Sequence, residues 1–384
     1  MNPSVMSPES PMSMEDRAMA VDPMDVISLS MGPMPMGPVP MNGHLMMGMN
    51  GQSMNMKPMD MDAMPMKPIN GQSLLMEPMN MDAMGMQSIP MDRGQERLPW
   101  RDEIWHRIDR SVHSESMRTR SASVFLPRVD SSYGTLTIDS DTTLIDTPQL
   151  SINEAAIFPL IEVWVEFALT PQQIEREMEI MTACTLAKRA TNILTQATDL
   201  LIFQGDTATT GDPLFTDRRV QVRSGPAGSG LVSAIPEGAS AQILQVPAVD
   251  AASHQFGDRT YEAVTAGCAR LKSQGHYGPY ALILHTIPYA DTFAPLAVTL
   301  ATPASLLEPM MGAGFYETGT LPPLTGLLIS VGGNSMDLVV GLDATTTFLQ
   351  QDAAGKYVFR VYKRFALRIK DPSAIIRLEF ETVA

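Results

Sequence analysis

Apolar and polar positions follow two different rules along this 384-residue chain, and the change comes near Arg97. Beyond it the spacing is that of a folded protein. Ile104, Trp105, Ile108 and Val112 share one stripe at helical spacing, with Arg107, Asp109 and Arg110 largely off it, which predicts a helix from Asp102 to about Met117. A mixed segment from Val124 to Ser151 holds short β-like runs, such as Thr135-Leu136-Thr137-Ile138, among turn formers. Phe158 to Leu169 alternates apolar and polar residues around Trp164 and Phe167 and reads as a strand. Thr170-Pro171-Gln172-Gln173 is a strong helix start: Thr170 caps, Pro171 suits the first helical position, and Gln173 bonds back to the cap. Helical periodicity through Ile174, Met178, Met181, Leu186, Ile193, Leu194 and Leu201, with room for a break, carries a long helix over 170–205, and Gly205 stops it.

From Asp206 to Asp258 the chain is rich in Gly and Ser and reads as an exposed loop region with short strands. Its loosest point, Ser224 to Gly230, has no strand–G-x-G-x-x-G–helix arrangement, which argues against a phosphate cradle. A helix over Thr260–Ser273 leads into Gly278 to Leu284, whose unbroken apolar run predicts a buried strand. Leu327–Val331, Asp337–Gly341, Phe359–Ile369 and Ile375–Phe380 read as further strands. The body is therefore α+β, and its length suggests two lobes.

Before Arg97 the pattern changes. Of the 31 methionines, 25 fall within the first 91 residues, no aromatic residue precedes Trp100, and β-branched residues are scarce. Such a segment has too little apolar surface to offset the entropy of ordering it, so residues 1–94 are expected to form a disordered arm before a body spanning 95–384. The arm repeats with a period of 20 residues: Asn50 to Met64 recurs as Asn70 to Met84. The unit lacks a face that stacking could bury, so it is a repeated ligand-bearing tract and not a solenoid.

Charge and cysteine usage narrow the partners. Up to Arg93 the arm has four basic residues against ten acidic ones, and the whole chain carries a net charge of −15, which argues against nucleic acid. The opening lacks the basic start and aliphatic run of a secretion signal, and no segment has the roughly 18 uninterrupted apolar residues of a membrane span. Cys184 and Cys268 alone make no disulfide framework, so a reducing, cytoplasmic setting is expected.

The arm's chemistry is thioether chemistry. Met54-x-Met56, Met59-x-Met61, Met64-x-Met66, Met79-x-Met81 and Met84-x-Met86 set sulfur pairs close together, with His44 as an added nitrogen donor. Soft, neutral sulfur suits cuprous copper and not magnesium, calcium or zinc. A flexible tether or a sacrificial oxidant sink is the plainer alternative. No H-E-x-x-H, G-x-S-x-G or C-x-x-C occurs, and no enzyme is expected; a dispersed Ser/His/Asp triad stays open at this point.

The order of motifs in the body resembles the encapsulins of the first, smaller type. The residues that carry the resemblance are Trp105-x-x-Ile108-Asp109, Phe125, Tyr133-Gly134, Pro159-Leu160-Ile161-Glu162 and Asp199-x-x-Ile202-Phe203-x-Gly205. Gly278-Pro279-Tyr280, Asp337 to Gly341 with Asp343, and Pro372-x-Ala374-Ile375 leading into Leu378-Glu379-Phe380 complete the set. The resemblance implies a tailed-phage major-capsid fold with a peripheral domain, an axial domain, a spine helix over 170–205 and an extended hairpin loop over about 134–158. It further implies a self-assembled icosahedral shell, an encapsulin nanocompartment, packaging a cargo protein through a short targeting peptide. Ile104, Trp105, Ile108, Phe125 and Asp343 would then face the cargo groove, and Ser273, Gln274, Gly275 and His276 the fivefold pore. Intersubunit contacts are expected from the hairpin and the Leu378–Phe380 strand, and the arm would lie in the lumen. A phage or prophage major capsid protein, which shares this fold, is the alternative. The chain departs from the pattern at Thr198-Asp199, where two acids are usual, at Gly341-Leu342-Asp343, where Gly-Gln-Asp is usual, and in its longer 207–258 region.

Overall fold

Two five-stranded sheets and one long helix organise the body. The computed structural model describes residues 93–132, 135–139, 142–144, 151–153, 157–223, 228–235, 238–249, 255–296 and 300–381. The Met-rich arm with its repeats and His44, and Tyr133-Gly134, lie outside the described residues.

The chain is already anchored at Arg93, which pairs with Asp109 at 2.8 Å and whose carbonyl accepts from the Phe348 amide. Helix α1 (Asp102–Thr119) buries the predicted stripe of Ile104, Trp105, Ile108 and Val112. A short helix, α2 (Ala122–Phe125), and strand β1 (Arg128–Asp130) follow. Next come β2 (Thr137–Asp139), β3 (Thr142–Leu144), β4 (Ser151–Asn153) and β5 (Ile157–Pro159). β2 pairs antiparallel with β5 and β3 with β4, so the segment runs out and back as one long hairpin. Leu136, Ile152, Ile157 and Phe158 on it are exposed.

Strand β6 (Ile161–Leu169) leads to the predicted helix start. Thr170 Oγ1 accepts from Gln173 N and Gln173 Oε1 accepts from Thr170 N, a complete capping box. The long helix is nevertheless broken into α3 (Pro171–Glu175), α4 (Glu177–Ile180) and α5 (Thr182–Gln204). The break has a clear cause. Met181 adopts a left-handed φ of 50°, which lets buried Glu177 fold back and accept from the amides of Ala183 and Cys184 at the start of α5. Met178 and Met181 are exposed as a result and do not join the buried face expected of them. Along α5, Ala183, Ala187, Ala190 and Ala197 are small enough to bring α1 and β6 close. Its buried Thr191, Thr195 and Thr198 return their hydroxyls to carbonyls one turn back, so no polar group is stranded. Gly205 ends the helix, as expected, and a Cβ there would collide with the backbone of Gly228 and Gly230.

The region expected to be mostly loop holds two short helices, α6 (Asp206–Gly211) and α7 (Pro213–Thr216), with Asp212 capping the second through Leu214 N. Strands β7 (Gln221–Arg223) and β8 (Ile243–Pro247) precede α8 (Asp258–Ser273) and β9 (Tyr280–His285). The rest comprises α9 (Thr286–Asp291), α10 (Pro303–Leu307), β10 (Gly314–Thr318), β11 (Thr325–Ser330), β12 (Met336–Gln351), β13 (Tyr357–Ile369) and β14 (Ile375–Glu381).

One sheet has the order β1-β12-β13-β6-β7, with α1 and α5 packed against it. The other has the order β10-β9-β11-β14-β8, and its buried strands pack against α8. The Leu378–Phe380 strand does not reach a free edge. β14 lies between β11 and β8 with Leu378 and Phe380 buried, because its apolar row completes the second sheet's own core.

Candidate functional site

Bulges in β12 build the candidate site. Its pairing with β13 slips between Val340 and Leu342 and again between Leu342 and Thr345, which turns Asp343 out of the regular ladder. Asp343 then meets Arg128 of β1, whose Nη1 and Nη2 donate to its two carboxylate oxygens at 3.2 and 2.7 Å. Arg128 Nε also donates to Asp130 at 2.7 Å. Burial works against the Arg128 charge, but the bonds from Asp343 and Asp130 outweigh it and raise its pKa. The pair closes one side of a narrow cleft between the C-terminal half of α1 and the edge of the first sheet. His113, Met117, Arg120, Leu338, Ala344 and Lys363 are among its lining residues.

Lys363 is the unusual member. Phe359, Val361, Lys363 and Phe365 occupy alternate positions of β13, so the lysine stands in the strand's buried row. Burial pushes its ammonium well below the ordinary lysine value, Asp343 and Asp199 pull it back, and Arg128 and Arg120 depress it further.

The sequence-derived cargo residues do not converge. Ile104, Trp105 and Ile108 are interior: Trp105 packs edge-on to Trp100 and near Phe359, and Ile108 is 0 % exposed. Phe125 packs into a ring cluster with Phe203 and Tyr316. These four side chains form the core that supports the cleft, and of the five only Asp343 lines it. Asp199, in a motif the resemblance had singled out, is also interior. It accepts from Ser121 N and Oγ and from Ala122 N, tying α5 to the turn after α1, and burial raises its pKa against those bonds.

Ser273, Gln274, Gly275 and His276 form the C-cap of α8. Gly275 has φ 93°, its amide donates to Lys272 O, and the His276 amide donates to Leu271 O, the double closure of a Schellman motif. His276 turns inward, with Nε2 2.8 Å from Ser373 Oγ and 3.6 Å from Asp371 Oδ2; Tyr277 beside it is the exposed residue. Ser373 Oγ itself donates to Asp371 at 2.6 Å. A nucleophilic triad needs the acid on the far ring nitrogen of the histidine, so this Ser/His/Asp grouping is a structural clasp and not a triad.

Among the described residues, no cluster of three His, Cys, Asp or Glu side chains is placed to hold a metal ion. Met54, Met56, Met59, Met61, Met64, Met66, Met79, Met81, Met84, Met86 and His44 lie outside them. No described helix is long and apolar enough to cross a membrane. Cys184 and Cys268 are both free and buried.

Comparison with known proteins places this architecture. The family described as an encapsulating protein for peroxidase matches residues 237–366. The chain is 26 % identical over 305 residues to the type 1 encapsulin shell protein EncA of Myxococcus xanthus, covering 74 % of this chain and 96 % of that protein. The structure is similar to the crystal structure of a virus-like particle from Pyrococcus furiosus, with a TM-score of 0.53 and 15 % identity, covering 72 % of this chain and all of that one. The holo-SrpI encapsulin complex of Synechococcus elongatus also matches, with a TM-score of 0.44 and 9 % identity over 68 % of this chain and 90 % of that one. The fold is thus α+β and major-capsid-like, as the motif order implied.

Proposed function

We propose that this chain is the shell protein of an encapsulin-type compartment, many copies of which close into an icosahedral particle around a cargo protein. One observation carries the reading: the similarity to an encapsulin shell protein runs over 96 % of that protein's length, so the whole shell-forming body is represented. The long β2–β5 hairpin supports it, because Leu136, Ile152, Ile157 and Phe158 leave apolar surface uncovered that a neighbouring copy would bury. Size-exclusion chromatography of the full chain over a range of salt and pH tests it, and elution only as monomer or dimer contradicts it.

The cargo peptide would dock in the cleft between α1 and β12. Met117, Leu338, Val340 and Ala344 give it apolar lining and Asp343 a fixed polar group. Ile104, Trp105, Ile108 and Phe125 would act beneath it, holding its walls. The Ser273–His276 cap would border an opening on a symmetry axis, with Tyr277 projecting from it. The Met-rich arm would bind cuprous copper in the lumen, many arms concentrating thioether pairs in one cavity.

A further inference from the structure

The cleft holds more positive charge than its own acids use. Arg128 is spent on Asp343 and Asp130. That leaves Arg120 and Lys363. The Nε of Arg120 is buried with no hydrogen-bond partner among the described residues. Lys363, with only 9 % of the residue exposed, makes no hydrogen bond or ion pair through its ammonium among them, and that ammonium lies 5.7 Å from the Phe365 ring centroid. Asp343 and Asp199 act on the lysine through their charge alone, and the hydrogen bonds that Asp199 accepts come from Ser121 and Ala122. An unpartnered buried guanidinium nitrogen is costly, and with an ammonium that makes no hydrogen bond beside it in the same cleft the two favour an oxyanion there. The Ser116 and Ser123 residues that also line the cleft add hydroxyl donors.

We infer that this cleft is a carboxylate-binding pocket, in which Lys363 and Arg120 receive the acidic side chain or terminal carboxylate of the docked peptide. The inference rests on the reading of the cleft as a peptide site, and it names the group the peptide must carry. The pocket is narrow and walled by Met117, Leu338 and Val340, so a carboxylate on an apolar peptide fits it better than a broad polyanion does. Within such walls a charge-assisted hydrogen bond is stronger than on an open surface.

The test uses the full chain and two fluorescein-labelled heptapeptides of Leu, Ser and Gly that differ only in one central Glu or Gln. Fluorescence anisotropy is expected to give binding about tenfold tighter for the Glu peptide, a preference that shrinks with added salt. In Arg120→Gln and Lys363→Met the ratio should fall to about one. Glu and Gln peptides binding the parent equally would overturn the carboxylate pocket while leaving a peptide site in place. A ratio unchanged in both variants would overturn the assignment to these residues. A second arm compares thermal unfolding in sodium acetate with sodium chloride at equal ionic strength. If neither peptide binds but acetate raises the parent's Tm and not that of Arg120→Gln, the pocket stands as a site for free carboxylates and the peptide reading falls. If neither peptide nor acetate acts, the pocket is overturned.

Discussion

Asp199 and Ser121, 78 residues apart, are joined twice: one carboxylate oxygen accepts from the Ser121 amide at 2.9 Å and from its hydroxyl at 2.7 Å. The other oxygen accepts from Ala122 N at 3.1 Å. Asp199 is therefore a tie between the long helix and the turn that aims α2 and β1 at the cleft. Its replacement by alanine removes the acceptor of one buried and two half-buried donors and is expected to cost about 3 kcal/mol, whereas Ser121→Ala, which loses one hydroxyl, costs about 1 kcal/mol. Denaturant unfolding of the two variants checks the ordering; equal losses would mean that the tie is not what Asp199 contributes.

Lys363→Met is expected to stabilise the fold at neutral pH, because it keeps the stem and removes a buried charge. The sign follows from burial holding the folded-state pKa below the unfolded value of about 10.4. Folding with the lysine present is penalised in full below the folded pKa, and the penalty disappears as pH rises to the unfolded value. The Tm advantage of the variant should thus be largest at pH 7 and shrink toward pH 10, each kcal/mol recovered being worth roughly 2–4 °C. An advantage that grows with pH would contradict the assignment.

Much of the fold is legible in the sequence because local rules and burial agree there. The Ile104–Val112 stripe, the Thr170–Gln173 capping box and the Gly205 stop all appear where spacing and cap chemistry put them. The break at Met181 is not legible, since it depends on Glu177 reaching over the turn to cap α5. α6 was hidden by its three threonines and a glycine and α7 by its length of four residues, although the Asp212-Pro213 start of α7 was a usable signal.

The cleft was legible only through Asp343. The stripe residues Ile104 and Ile108 read equally well as core and as groove, and three-dimensional packing assigns them to the core. Lys363 left one clue, a lysine in the alternating apolar row from Phe359 to Phe365. Arg120 left none, because its unpaired Nε is a property of the assembled walls.

The exposed hairpin residues should matter to assembly and not to the fold of the single chain. Ile157→Ser and Phe158→Ser are expected to leave circular dichroism unchanged and to shift stability by no more than about 0.5 kcal/mol, as surface substitutions do. On size-exclusion chromatography the double variant should lose most of its large species. Large species persisting at the parent's level would show that the hairpin does not bridge copies.

Anaerobic titration with cuprous ion separates the arm's readings. The full chain is expected to bind several copper ions per subunit, and a version beginning at Gln95 none or few, because the paired thioethers from Met54 to Met86 lie upstream of it. Equal stoichiometry for the two would rule out copper binding by the arm.

Closure into a shell is open to direct inspection by electron microscopy of the purified full chain. Hollow, closed particles of uniform diameter, whose averaged images show icosahedral symmetry, are expected. Fields of monomers, dimers or open aggregates, under conditions where circular dichroism shows the chain folded, would contradict it.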